Sequence, residues 1–194
     1  MPSTPELTPN RRVCLAAAAS LLLAACGRQD APTPAAKESV ALSIEAIEAQ
    51  AKGFTVGQAM RSQAVYVFFD PQCPHCAALW NETKTLAARA KFVWVPVALM
   101  GSKSVGQGGA ILAAADPAQA MERNEASVLA QQGGISAMGV SGESQDVVRK
   151  NTELFDRLGF SSVPTIVARN PKTGQLVTVD GSLPAAELAL RIGL

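Results

Sequence analysis

Six consecutive apolar residues, Ala64-Val65-Tyr66-Val67-Phe68-Phe69, stand out from the polar positions around them. An unbroken run of this length and make-up predicts a strand buried on both faces. Asp70-Pro71 ends it. From Cys76 to Ala90 the apolar period becomes helical, with Ala77, Trp80, Leu86 and Ala87 facing inward. Phe92 to Leu99 reads as a second strand, and Pro96 within it argues for a sheet edge or a bulge. Gly101 to Gly109 is glycine-rich and predicts a loop. Ala110 to Ala115 starts a helical block that continues from Met121 to Gln132, with Asp116-Pro117 as cap and first helical residue. Gly133 to Gly142 is expected to be irregular. Ser144 to Leu158 is a further helix, with Val147, Val148, Leu154 and Leu158 on one face and Gly159 as its stop. Val163 to Ala168 and Leu176 to Val179 form a strand pair around Asn170-Pro171-Lys172-Thr173-Gly174. A terminal helix spans Leu183 to Leu194. Upstream, Val40 to Ala51 has the spacing of a short amphipathic helix, and Gly53 and Gly57 bracket a turn. The order is strand, helix, strand, helical insertion (about 102–160), hairpin, helix. This is an α/β domain. Trp80, Trp94 and Phe155 are expected in its core, and Met100, Met121 and Met138 as packing residues.

The N-terminus follows a different logic. Arg11-Arg12 precedes an apolar stretch from Val13 to Ala25, too short to span a bilayer as a helix. Residues 1–25 therefore read as a secretory signal peptide. The stretch ends Leu23-Ala24-Ala25-Cys26, which looks like a bacterial lipobox and implies cleavage before Cys26 and its lipidation. Gly27 after it weakly favours the outer membrane. Residues 26–39, rich in Ala and Pro, form a tether, residues 40–63 a short helix and linker, and residues 64–194 the catalytic domain. The chain has 17 Lys+Arg against 16 Asp+Glu. Without Arg11, Arg12 and Glu6 the two balance, so nothing in the charge calls for a nucleic acid partner.

Of four cysteines, Cys14 leaves with the leader and Cys26 carries lipid. Cys73 and Cys76 remain, in Cys73-Pro74-His75-Cys76 at a strand-to-helix junction. A C-x-x-C in that place reads as a redox site. Only a thiolate attacks a disulfide. Cys73 stands at the helix mouth, where backbone amides and the dipole favour negative charge. His75, the only histidine, adds a second stabilising charge or hydrogen bond. Pro74 pre-sets the first helical φ. These features assign Cys73 as the exposed nucleophile, Cys76 as the more buried resolving thiol, and His75 as the tuning group. A protein that exchanges disulfides in this way needs no cofactor. A different reading is a copper module using Cys73, Cys76 and His75, although structural zinc sites want four protein ligands. A third is a redox-inert lipoprotein that only binds a partner.

Tyr66-Val67-Phe68-Phe69-Asp70-Pro71-Gln72-Cys73-Pro74-His75-Cys76 resembles the active-site strand of the periplasmic thiol:disulfide interchange proteins, the DsbG/DsbC family. Ala110-Ile111-Leu112-Ala113-Ala114-Ala115-Asp116-Pro117-Ala118 is similar to a segment of the DsbG helical insertion. The resemblance covers about Ala64 to Leu194. It implies a thioredoxin-like fold, a periplasmic location, and exchange with exported proteins as an isomerase or reductase, fed by a membrane electron donor of the DsbD type. It further implies that Pro164 is the cis proline facing the cysteines, and that Val163 and Thr165 beside it bind an extended substrate. Two features differ from that family. The segment ahead of the domain is too short for its dimerisation domain, which leads to the expectation of a monomer. Pro74-His75 and Val163 resemble the dithiol oxidase DsbA instead, which keeps an oxidase as the alternative.

Overall fold

The computed structural model describes residues 38–60 and 63–194. Cys26, the signal peptide and most of the tether lie outside the described residues. Eleven elements follow one another: α1 (Ile44–Gln50), β1 (Phe54–Gly57), β2 (Ala64–Phe69), α2 (Pro74–Lys84), β3 (Lys91–Pro96), α3 (Ser102–Ala113), α4 (Pro117–Leu129), α5 (Gly142–Arg157), β4 (Thr165–Arg169), β5 (Leu176–Asp180) and α6 (Ala185–Ile192). Five strands form one sheet in the order β1-β3-β2-β4-β5. Among the described residues only β2 and β3 run parallel; α2 is the crossover between them, as a parallel pair requires. This is the thioredoxin-like α/β fold, with α3, α4 and α5 inserted between β3 and the β4–β5 hairpin.

The alternation of a strand splits the core in two. Val65, Val67 and Phe69 of β2 face a cluster with Leu79, Trp80, Met121 and Leu188. Ala64, Tyr66 and Phe68 face a second cluster with Ile47, Leu154 and Phe155. All six β2 residues are buried, as their unbroken apolar run predicts. The strand ends at the C-terminal edge of the sheet centre, and that is where Cys73 sits.

Four expectations are corrected. Gly53 and Gly57 do not bracket a turn: Phe54–Gly57 is β1, paired antiparallel with β3 from Phe54 opposite Trp94 to Gly57 opposite Lys91. Because β1 covers that side, β3 is an interior strand. Pro96 is tolerated because it is the strand's last residue, opposite Phe69. Gly101 to Gly109 is not a loop, since α3 begins at Ser102. Its glycines serve close packing: a Cβ on Gly108 would lie 3.0 Å from a Val148 methyl of α5 and 3.1 Å from Pro96 Cβ. Helix propensity is here overridden by the need for two helices and a strand end to approach closely. Met121 is fully buried, but Met100 and Met138 are 55% and 92% exposed and pack little.

Gly57 ends β1 with φ +95°, and a Cβ there would meet the carbonyl oxygens of Ala90 and Ala87 at 2.5 and 2.6 Å. Both partners are backbone and cannot swing away. Gly57→Ala is expected to lower stability by about 1–3 kcal/mol, measured by urea unfolding. An unchanged midpoint would show that this edge of the sheet yields freely.

Candidate functional site

The site grows from the turn after β2. Asp70 is fully buried, and its carboxylate accepts four hydrogen bonds. Oδ1 takes the Gln72 amide at 2.8 Å and the Ser104 hydroxyl at 2.7 Å. Oδ2 takes the amides of Leu99 and Met100 at 2.7 and 2.8 Å. One side chain thus locks the cysteine turn, the segment after β3 and the first turn of α3. Asp70→Asn keeps only one accepting oxygen and turns an NH2 against the other donors. It is expected to lower stability by about 2–4 kcal/mol, read from the thermal or urea transition. Retained stability would show that the turn holds without this network.

Beyond Asp70, Gln72 Nε2 donates to the Gly133 carbonyl at 2.9 Å and to Gln107 Oε1. Asn124 Nδ2 of α4 donates to the Pro71 carbonyl at 2.7 Å. The insertion is therefore fastened directly to the residues that precede Cys73.

Cys73 is the N-cap of α2 and makes no side-chain capping bond of the usual kind; Pro74 follows as first helical residue. The orphan amides of a helix start look toward this position. Among the described residues Cys73 and Cys76 are the free cysteines, and both are buried. Cys76 is fully covered and Cys73 is 6% exposed. The expectation of an exposed Cys73 is thus corrected: its Sγ lies 3.7 Å from the Val163 carbonyl oxygen, under the segment that leads into β4. Pro74 and His75 are exposed.

The two thiols are driven apart in acidity. The hydrogen bond from the Cys76 thiol pulls Cys73 down from its ordinary value to about 6, against the penalty of burial and with help from the amides of Cys76 and His75 and the charge of His75. Burial, followed by the neighbouring Cys73, holds Cys76 well above the ordinary value. One sulfur of the pair is a thiolate at neutral pH and the other is a thiol able to donate to it.

The Val163–Pro164 peptide is cis. Pro164 is buried and Val163 is half-buried, and the Val163 carbonyl is the group that lies against Cys73. Thr165 is different. It is fully buried, its hydroxyl donates to the Ser162 carbonyl at 2.6 Å and lies 3.1 Å from Asp180 Oδ1. Its place is opposite Phe68 on one side and Asp180 on the other. The structure brings Cys73, Cys76, His75, Pro74, Val163 and Pro164 together, and puts Thr165 inside the sheet. Among the described residues no group of three His, Cys, Asp or Glu side chains is arranged to hold a metal ion, so the geometry lends the copper reading no support.

Residues that the local pattern does not reveal are Asp70, Asn124 and Glu125. The last two share the buried face of α4 with Met121 and Val128. Polar residues at helical spacing on an apolar face are the signal that marks them.

Comparison with known proteins fits this geometry. The family described as thioredoxin-like domain matches residues 52–192. The thiol:disulfide interchange protein DsbG of Pseudomonas aeruginosa is 27% identical over 143 residues, which are 71% of this chain and 54% of that protein. DsbG of Escherichia coli is 33% identical over 104 residues, 53% of this chain and 42% of that one. The chain spans about half the length of these relatives. Among solved structures, Proteus mirabilis ScsC in a compact conformation superposes with a TM-score of 0.60 at 17% identity, covering 76% of this chain and 74% of its own. A periplasmic thioredoxin-like protein from Salmonella enterica serovar Typhimurium gives 0.60 at 15% identity, covering 79% and 97%. At such identities the likeness is one of fold. With a family match across the sheet and the helices that frame Cys73 and Cys76, the chain belongs to the thioredoxin-like domain family.

Proposed function

We propose that this protein is a thiol-disulfide oxidoreductase whose Cys73–Cys76 pair exchanges disulfides with exported proteins, in the manner of the DsbG interchange proteins it resembles. The observation that carries the reading is the placement of two free thiols, Cys73 and Cys76, at the mouth of α2 beside the Val163 carbonyl and its cis peptide bond to Pro164. Cys73 attacks a substrate disulfide and forms a mixed disulfide. Cys76, one helical turn further, attacks Cys73 and releases the substrate, leaving the intramolecular disulfide. The reverse sequence donates a disulfide. His75 and the helix amides stabilise the Cys73 thiolate, and Pro74 fixes the turn. Pro164 closes off the sulfur on the sheet side. Val163 offers its backbone to an extended substrate segment; the Thr165 side chain takes no part, because it is buried and already bonded. The reaction needs no cofactor.

The location follows the same reading: export by residues 1–25, anchoring by lipid on Cys26, and work in the periplasm as a monomer. A membrane donor of the DsbD type restores the dithiol if the protein works as an isomerase or reductase. The oxidase reading stands beside it because a stabilised thiolate stabilises the reduced form and makes the disulfide more oxidising. The reduction potential in glutathione buffers separates them from a thioredoxin-like reductant. A value near about −120 mV supports thiolate stabilisation, and trapping the resting state in cells then tells an oxidised oxidase from a reduced isomerase. A value near about −270 mV overturns the tuning argument and leaves a dedicated reductant.

A further inference from the structure

Asn124 and Gln107 are buried amides for which the exchange reaction just described has no use. Asn124 of α4 and Gln107 of α3 are both buried. They share the inner faces of their helices with Met121 and Val128, and with Gly108 and Ile111. An amide side chain in such a place is costly unless its polar atoms find partners. Here they do. Asn124 Nδ2 donates to the Pro71 carbonyl at 2.7 Å and to Glu125 Oε1 at 3.2 Å, and its Oδ1 accepts the Ile135 amide at 3.0 Å. Gln107 Nε2 donates to the carbonyls of Gly133 and Ile135, each at 2.8 Å, and its Oε1 accepts from Gln72 Nε2.

Both amides converge on the turn between β2 and α2. Asn124 holds Pro71 and Gln107 holds Gln72, the two residues before Cys73. Both also hold the segment 133–135, and Gln72 reaches the Gly133 carbonyl itself at 2.9 Å. Gly134 lies where the three side chains meet. Its φ is +83°, and a Cβ there would be 2.6 Å from Asn124 Oδ1, 2.6 Å from Gln107 Nε2 and 3.0 Å from Gln72 Nε2. A closed cluster of uncharged groups therefore grips the turn from the insertion. The Cys73 amide is bound in turn to the Asp70 carbonyl at 3.0 Å, so the turn carries Cys73 to its place as N-cap of α2.

We propose that Asn124, with Gln107 beside it, is a positioning residue for Cys73: it fixes Pro71 and Gln72 so that the sulfur stays at the mouth of α2, under the Val163 carbonyl. Hydrogen bonds weaken steeply with distance and misalignment. A sulfur that drifts from this place loses the helix amides and the Cys76 thiol, and with them the stabilisation of its thiolate. The ionisable groups that act on Cys73 are His75 and Cys76 of α2 and Glu125 of α4. Loss of the Asn124 bond leaves Glu125 harder to ionise, which removes negative charge near Cys73 and favours its thiolate. Displacement of the sulfur has the opposite sign, so the direction of the change separates the two causes.

The test compares Asn124→Ala with Asn151→Ala in the reduced protein. Asn151 of α5 is an equally buried amide. It donates to the carbonyls of Lys52 and Pro96 at 2.8 and 3.0 Å and accepts the Lys52 amide at 3.0 Å, none of them in the cysteine turn. Both variants are expected to lose comparable stability in urea. Only Asn124→Ala is expected to raise the midpoint of Cys73 alkylation by iodoacetamide, by about one pH unit, so that the rate at about pH 6 relative to that at about pH 9 falls about fivefold. Asn151→Ala keeps the wild-type profile. Gln107→Met keeps the side-chain length, loses its hydrogen bonds and leaves Glu125 untouched; it is expected to shift the midpoint the same way and decides the matter if Asn124→Ala does not fold. An unmoved or lowered midpoint in the folded variants overturns the proposal. An equal rise in Asn151→Ala also overturns it, because the effect is then one of general loosening. The proposal rests on the redox reading of Cys73 and Cys76. A wild-type midpoint at the value of free cysteine overturns that reading, whereas a low wild-type midpoint that the variants leave in place overturns the positioning role alone.

Discussion

Replacing Cys73 with serine is expected to reduce disulfide exchange to the uncatalysed background, a loss on the order of a thousandfold or more. The reason lies in the division of labour at the mouth of α2. Cys73 is the sulfur whose charge is stabilised by the Cys76 thiol and the first helical amides. A serine hydroxyl in the same place has neither the nucleophilicity nor the ability to form a disulfide. Cys76 cannot take over, because it is fully buried and its burial keeps it a thiol. Cys76→Ser has a different signature: attack still occurs, resolution does not, and mixed disulfides with substrate accumulate. The measurement is the reduction of insulin disulfides by dithiothreitol, followed by turbidity, with non-reducing gels for the trapped species. Activity retained in Cys73→Ser would remove the dithiol from the mechanism and revive the reading of a redox-inert binding lipoprotein.

The local sequence carries the chemistry of this site because the chemistry is local. Cys73, Pro74, His75 and Cys76 span one helix start, and the apolar run before them needs no tertiary information to be placed at the centre of the sheet. Val163-Pro164 is legible for a similar reason: it opens a strand whose hairpin turn is written in Asn170, Pro171 and Gly174. What is not local is harder to read. Phe54–Gly57 is four residues long between glycines and becomes a strand because Phe54 is needed over Trp80 and Phe69, with ring centroids 6.4 Å apart in each case. The glycines of α3 look like a loop until Val148, Val140 and Pro96 are seen against them. The same holds for the polar core of the site. Asp70 reads as a strand stop, and Asn124 and Glu125 are two polar residues inside a helical block. Their roles come from residues on other elements that only the fold brings near. The exposure of Cys73 is misjudged on the same ground, since the Val163 carbonyl that covers it is distant in sequence.

The insertion and the redox turn are therefore one unit rather than a scaffold with an ornament. Asp70 binds the start of α3, Gln72 binds Gln107 and Gly133, and Pro71 is bound by Asn124. A change in α3 or α4 acts on the placement of Cys73 through three consecutive residues, Asp70 to Gln72. Substitutions in the insertion are on this view as relevant to reactivity as those beside the cysteines.

Alkylation of the reduced protein should follow the ionisation of Cys73, with a midpoint at about pH 6. The sign is fixed by the direction of the shift. A thiol lowered to about 6 is about nine-tenths ionised at pH 7, where a free cysteine is a few per cent ionised. Between pH 7 and 5 the rate should therefore fall about tenfold, whereas an ordinary cysteine is already almost silent across that range. Cys76, held up by burial, should react slowly throughout. The same shift bears on stability. A group whose folded value lies below its unfolded one stabilises the fold fully above the unfolded value and loses that contribution as pH falls through the folded value. Reduced wild type should thus gain stability over reduced Cys73→Ser as pH rises from about 6 toward 9. His75→Ala removes one of the smaller stabilising contributions and should move the alkylation midpoint upward while leaving Cys73 well below a free thiol, since the Cys76 hydrogen bond remains. Cys76→Ala, which removes the leading contribution, should move it further. The measurement is the rate of iodoacetamide modification at Cys73, mapped by mass spectrometry across pH. A midpoint near that of free cysteine would mean that the helix mouth does not stabilise the thiolate, and the assignment of Cys73 as the attacking sulfur would lose its physical basis.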